Sequence, residues 1–179
     1  MDHDWAKNRE PRTENRDFRR REVSTLDGNP PMKIAILMGS VKDSDKMQPA
    51  AEVLAGLGIE HEVFVMSAHR TPGRVAEFAS GARDAGYGAI ICGAGKAAHL
   101  AGAVAAHSTL PVIGVPIAAG GLGGMDALLS TVQMPTGIPV ATVAVDSAAN
   151  AAYLAASILS LHDVEVAAAL AAYRDALAR

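Results

Sequence analysis

The stretch Lys33-Ile34-Ala35-Ile36-Leu37-Met38-Gly39-Ser40-Val41-Lys42-Asp43 joins a short apolar run to a small, polar loop. The same arrangement returns twice. His61–Met66 leads into Ser67-Ala68-His69-Arg70-Thr71-Pro72, and Ala89–Cys92 leads into Gly93-Ala94-Gly95-Lys96-Ala97-Ala98-His99. Each run has the length of a buried strand, and each loop precedes a helical pattern. Met47, Ala50, Ala51, Leu54 and Leu57 recur at helical spacing, with Gly58 as a stop. Pro72 fits the first turn of a helix running towards Gly86, and a third helix is expected near Ala97–His107. Val112–Val115 and Pro139–Val145 read as the fourth and fifth strands, separated by a helix over Gly123–Gln133. Ala148–Leu161 and Asp163–Ala178 read as Ala-rich C-terminal helices.

Strands alternating with helices predict an α/β fold with a parallel sheet between two helical layers and right-handed crossovers. Five strands suggest the order 2-1-3-4-5. That order sets the three motif-bearing loops side by side at the carboxyl ends of their strands. The crevice between strands 1 and 3 is then the expected ligand site.

The chain has 179 residues, enough for one domain with a substantial core. Half of it is apolar but only 4% is aromatic, so Ala, Val, Ile, Leu and Gly do the packing. Net charge is -3 with no basic stripe, which argues against nucleic acid or an anionic membrane as partner. The single cysteine, Cys92, lies inside an apolar run and reads as a small core residue. No apolar run reaches the roughly 18–20 residues of a membrane span. The N-terminus is charged and lacks the apolar segment of a secretory signal, so a cytoplasmic protein is expected. Residues 1–31 hold seven Lys or Arg and seven Asp or Glu but few apolar residues. They are expected to be a disordered tail, with a catalytic domain over 32–179 and Met32 as a candidate biological start.

Gly39-Ser40 closes strand 1 and opens a helix, whose free N–H groups suit phosphate. Ser40 adds a hydroxyl, and Asp43 can accept from ribose hydroxyls. An ordinary capped turn would use the same residue types. Ser67, His69, Arg70 and Thr71 form a more specific set. Arg70 offers a fork of donors to a phosphate, and His69 can move a proton. Gly95 and its small neighbours let backbone approach a flat ligand, and His99 is expected about one turn into the helix, facing the crevice. Lys42 and Lys96 add positive charge beside the anion site. Neither a Walker loop, a G-x-G-x-x-G fingerprint nor a G-x-S-x-G elbow is present. His and carboxylate spacing gives no metal site, so no metal is expected. The set suits a phosphorylated small molecule that undergoes proton transfer.

These residues resemble the class I PurE family, the N5-carboxyaminoimidazole ribonucleotide mutases of purine biosynthesis. The resemblance rests on Met38-Gly39-Ser40 with Asp43, on Ser67–Pro72, and on Gly93-Ala94-Gly95 with Ala97-Ala98-His99-Leu100. Gly114-Val115-Pro116, Leu128–Pro135, Gly137-Ile138-Pro139-Val140 and Asn150-Ala151-Ala152 extend it over roughly residues 33–162. It implies a flavodoxin-like fold and homo-octamers with active sites at subunit interfaces. It implies a nucleotide substrate whose carboxylate moves from N5 to C4 of the imidazole, without metal, ATP or organic cofactor. By position, Ser40, Asp43, Ser67 and Arg70 would bind the ribose phosphate, and His69 would be the general acid/base. His99 and the Gly93–Ala98 loop would wall in the imidazole and the moving carboxylate. One branch of the family takes up CO2 directly, and Arg70 in its hexapeptide with Gly-Ala-Gly before His99 matches the mutase branch instead. The family usually has Ser at Lys42, Gly at Lys96 and Pro at Ala101, and polar residues where Ala118-Ala119-Gly120-Gly121 stand. Two other readings stay open: a PurE-like carboxylase or decarboxylase on a different substrate, and a catalytically silent phosphate-ligand binding protein. Complementation of a purine auxotroph separates them from the first.

Overall fold

The computed structural model describes residues 32–178. The expected tail, residues 1–31, lies outside the described residues. In chain order the elements are β1 (Lys33–Met38), α1 (Ser44–Gly56), β2 (His61–Val65), α2 (Pro72–Gly81), β3 (Tyr87–Gly95) and α3 (Leu100–His107). Then follow β4 (Val112–Ile117), α4 (Met125–Val132), β5 (Ala141–Thr142), α5 (Ala148–Leu159) and α6 (Val164–Leu177). The strands form one parallel sheet in the order β2-β1-β3-β4-β5. This is the three-layer α/β fold expected from the sequence.

The strand period of two splits the core between the faces of the sheet. Ile34, Ile36, Met38, Ile91 and Val115 face α1 and α5. Ala35, Leu37, Ile90 and Cys92 face α2 and α3. β1 is therefore apolar on both sides, as a central parallel strand must be. Burying each Ile or Leu of this set contributes about 1.5–3 kcal/mol.

Several boundaries differ from the sequence-based expectation, four of them for a clear local reason. α2 stops at Gly81, because the chain turns back through Gly86 at φ +85 and Tyr87 N–H bonds to Ala82 O. β3 is longer than Ala89–Cys92 and reaches Gly95, since Gly93, Ala94 and Gly95 still pair with β4. α3 begins only at Leu100, because Lys96 takes a left-handed φ of +56 that no helix tolerates. β5 shrinks to two residues. Pro139 has no N–H to give, and beyond Thr142 only separate bonds continue, from Val143 N–H to Gly114 O and from Asp146 N–H to Pro116 O.

In α5, Ala148, Ala151, Ala152, Ala155 and Ala156 are fully buried within the subunit. Alanine side chains let α5 approach α1 and the sheet closely. Large apolar side chains stay exposed on the C-terminal helices and at their junction, at Leu154, Leu161, Val164 and Leu177. Leu122, Met125, Leu129 and Val132 form one stripe along α4 and its approach.

Candidate active site

The loops after β1, β2, β3 and β4 meet over a cavity of about 520 Å³. Its lining includes all nine residues singled out in the sequence: Ser40, Lys42, Asp43, Ser67, His69, Arg70, Gly95, Lys96 and His99. The position follows from the topology. β1 and β3 are adjacent while their crossovers leave on opposite faces, so the loops part there and open a crevice.

Ser40 caps a short 3-10 turn, Val41–Asp43, and its Oγ accepts the Lys42 N–H at 3.2 Å. The turn carries Asp43 inward until its carboxyl is almost covered. Burial pushes that carboxyl up from its ordinary value, and the Ser40 backbone N–H opposes the shift. Across the cavity, Ser67 and Thr71 lock the second loop. Thr71 Oγ1 accepts from Ser67 N–H at 3.0 Å and donates to Ser67 O at 3.1 Å. Ser67 Oγ in turn accepts the Arg70 N–H at 3.2 Å. Arg70 reaches back over β1, where Nη2 donates to Gly39 O at 3.0 Å. One edge of the guanidinium is thus spent on aiming it, and its other donors remain for an anion.

His69 Nε2 lies 2.8 Å from His99 Nδ1, with the two rings nearly perpendicular at 82°. One imidazole donates and the other accepts, so the pair shares a proton across the cavity. His99 reaches this place from the N-cap of α3, not from one turn inside the helix as expected. A cap residue stands at the mouth of the crevice, whereas the next turn would have carried the ring away from it.

The wall on the β4 side was missed in the sequence. Ala119, in the loop after β4, lines the cavity. A Cβ on Gly95 would stand 2.6 Å from Ala119 Cβ and 3.0 Å from Ile117 O, so only glycine lets these two loops touch. Asp146 holds the same wall from behind. Its Oδ1 accepts the Ala118 N–H at 3.0 Å and its Oδ2 pairs with Lys46 Nζ at 2.6 Å. Burial alone would raise the Asp146 carboxyl, but the Lys46 ammonium and the Ala118 N–H outweigh it and hold it below the usual range. The available signal was position: Ala118-Ala119-Gly120-Gly121 follows a strand at the same end of the sheet as the other motif loops. Asp146 carried no signal, since its partners are distant in sequence. Among the described residues, no three His, Cys, Asp or Glu side chains gather as metal ligands, and no helix is long and apolar enough to cross a membrane.

The family model described as AIR carboxylase matches residues 33–179, which contain every loop of this cavity. The chain belongs to the AIR carboxylase family of enzymes. Curated relatives of this family member include the N5-carboxyaminoimidazole ribonucleotide mutase of Thermotoga maritima, 49% identical over 147 residues, covering 82% of this chain and 86% of that one. The mutase of Escherichia coli K12 is 51% identical over 150 residues, covering 83% and 89%. That of Aquifex aeolicus is 54% identical over 134 residues, covering 75% and 80%. Among solved structures, Treponema denticola PurE superposes with a TM-score of 0.75 at 32% identity, covering 83% of this chain and 92% of that one. The family expected from the residues is thus the family found.

Proposed function

We propose that this chain isomerises N5-carboxyaminoimidazole ribonucleotide to 4-carboxy-5-aminoimidazole ribonucleotide in purine biosynthesis, with His69 as general acid/base. The observation that carries the proposal is the His69–His99 pair at 2.8 Å, set in a cavity that also holds Ser40, Ser67 and Arg70. Its relatives' shared name supports the same reaction.

The reaction divides into two half-steps that balance. The N5–carboxylate bond breaks, His69 gives a proton to N5, and CO2 is released beside a neutral aminoimidazole. C4 then attacks CO2, a new C–C bond forms, and the C4 proton returns to His69. Imidazole suits this task because its charge changes near neutral pH. His99 holds the ring of His69 in one orientation and shares its proton between half-steps. Ser40, Ser67 and Arg70 bind the phosphate, with Lys42 beside them. Asp43 accepts from ribose hydroxyls. Gly95 and Ala119 bring backbone against the imidazole and keep CO2 near C4. No cofactor enters this scheme.

A homo-oligomer, an octamer by family resemblance, and a cytoplasmic location belong to the same reading. The stripe Leu122, Met125, Leu129 and Val132 supports association, because each of these side chains is about half exposed or more in the subunit.

The test is complementation of a purine auxotroph, followed by assay of the purified protein. Wild type should restore growth and convert the N5-carboxylated ribonucleotide. His69→Asn should bind nucleotide yet lose about 10²–10⁴-fold in turnover. Activity of His69→Asn within threefold of wild type would remove His69 from the chemistry. Failure of wild type to complement would favour a different carboxylated substrate or a silent binding protein.

A further inference from the structure

Lys96 stands in the cavity wall at φ +56, a backbone conformation that residues with side chains rarely take. Such outliers collect where a ligand is gripped. Its side chain crosses from the loop after β3 to the loop after β4. A Cβ on Gly120 would lie 3.5 Å from Lys96 Cε and 3.8 Å from its Cγ, so the aliphatic stem rests against bare glycine backbone. The stem is therefore seated while the ammonium stays exposed at the rim. Among the described residues, the only carboxylates in salt bridges belong to Glu62 and Asp146, paired with Lys33 and Lys46. Lys96 has no such partner there.

The cations of the cavity divide into two groups by strand. Lys42 and Arg70 follow β1 and β2. Lys96 follows β3 and leans towards β4. Neighbouring strands lie about 4.8 Å apart, so β1 and β4, with β3 between them, are separated by about 10 Å. The substrate proposed above also has two anionic ends, a ribose phosphate and, across the imidazole, a carboxylate. Resting on that reading, we infer that Lys96 binds the carboxylate end of substrate and product, and that it makes the site select carboxylated over carboxylate-free ribonucleotide.

The charge has a definite kinetic sign. Substrate and product are both carboxylate anions, whereas the CO2 between them is neutral. A cation at this point lowers both bound end states and leaves the CO2 state unaided. It therefore strengthens binding at the expense of the rate of bond breaking. The glycine-rich segment Ala118–Gly124 supplies no side-chain donor of its own, since it holds two alanines, one leucine and four glycines. Lys96 brings the missing polar group from the opposite loop.

The experiment titrates wild type, Lys96→Met and Lys96→Arg with two ligands by calorimetry. The ligands are 4-carboxy-5-aminoimidazole ribonucleotide and carboxylate-free 5-aminoimidazole ribonucleotide. Methionine keeps the stem on Gly120 and removes the charge. Lys96→Met should weaken the carboxylated ligand about fivefold, the scale of a partly exposed ion pair, and leave the other within twofold. Lys96→Arg should recover most of the loss. In turnover, Lys96→Met should raise KM without lowering kcat. Equal loss for both ligands, or loss for neither, overturns the inference. A wild type that binds neither ribonucleotide overturns the functional reading beneath it, which is a separate outcome.

Discussion

Asp43 and Asp146 are both partly withdrawn from water, yet their carboxyls move in opposite directions. Asp43 has only the Ser40 N–H to offset burial, so its native form holds the proton more tightly than the unfolded chain does. Ionising it costs stability. The cost grows as pH rises above the ordinary value of 3.8 and is complete above the raised native value. Asp43→Asn keeps an oxygen for Ser40 and removes that cost. We expect a higher melting temperature at pH 7, with the gain shrinking as pH is lowered towards 3.8. The same variant should bind ribonucleotide more weakly if Asp43 holds the ribose. Asp146 has Lys46 and Ala118 as partners, so its stabilisation is present above 3.8 and is lost as pH falls through its lowered native value. Asp146→Asn should melt lower than wild type at pH 7, and the two should converge in acid. Parallel melting curves across this range for both variants would reject the assignment of these shifts.

Among the elements, β4 depends most on what is absent from it. A Cβ on Gly114 would collide with Thr131 of α4 and stand 3.0 Å from Val140 Cγ1. Thr131 cannot swing aside freely, because its hydroxyl donates to Ala127 O at 2.7 Å. Gly114→Ala should therefore destabilise the domain by about 1–3 kcal/mol, read as a shift of the denaturant midpoint, with overpacking as the cause. An unchanged midpoint would show that α4 moves away easily. The strands and helices that build this packing were legible in the sequence because each carries its own period: the apolar run of β1, the spaced apolar positions of α1, the proline that opens α2. The site loops were legible because polar residues follow apolar strands at His69 and Arg70. The start of α3 and the length of β5 were not, since a left-handed Lys96 and the lost donor of Pro139 act through pairing geometry that no periodicity reports. Ala119 was passed over for a different reason: alanine has no chemistry to notice, and its role lies in standing against Gly95.

At the scale of the whole molecule, the α4 stripe decides how subunits meet. Leu129 is half exposed on the outer face of its helix, away from the cavity lining. Leu129→Glu should leave the subunit folded and shift its mass by light scattering towards smaller assemblies, because a carboxylate in an apolar contact is strongly disfavoured. An unchanged mass would move the contact elsewhere, with the exposed Val63 and Val65 of edge strand β2 as the next surface to examine. The sheet order has one more consequence. His69 follows β2 and His99 follows β3, and β1 lies between those strands. The imidazole pair thus spans a strand that is earlier in the chain than either of its neighbours. During refolding, two separate long-range strand pairings must close before the rings can meet, and such pairings are the slow steps of a parallel sheet. Recovery of turnover should then trail recovery of the helical signal, making activity a clock for the last docking event.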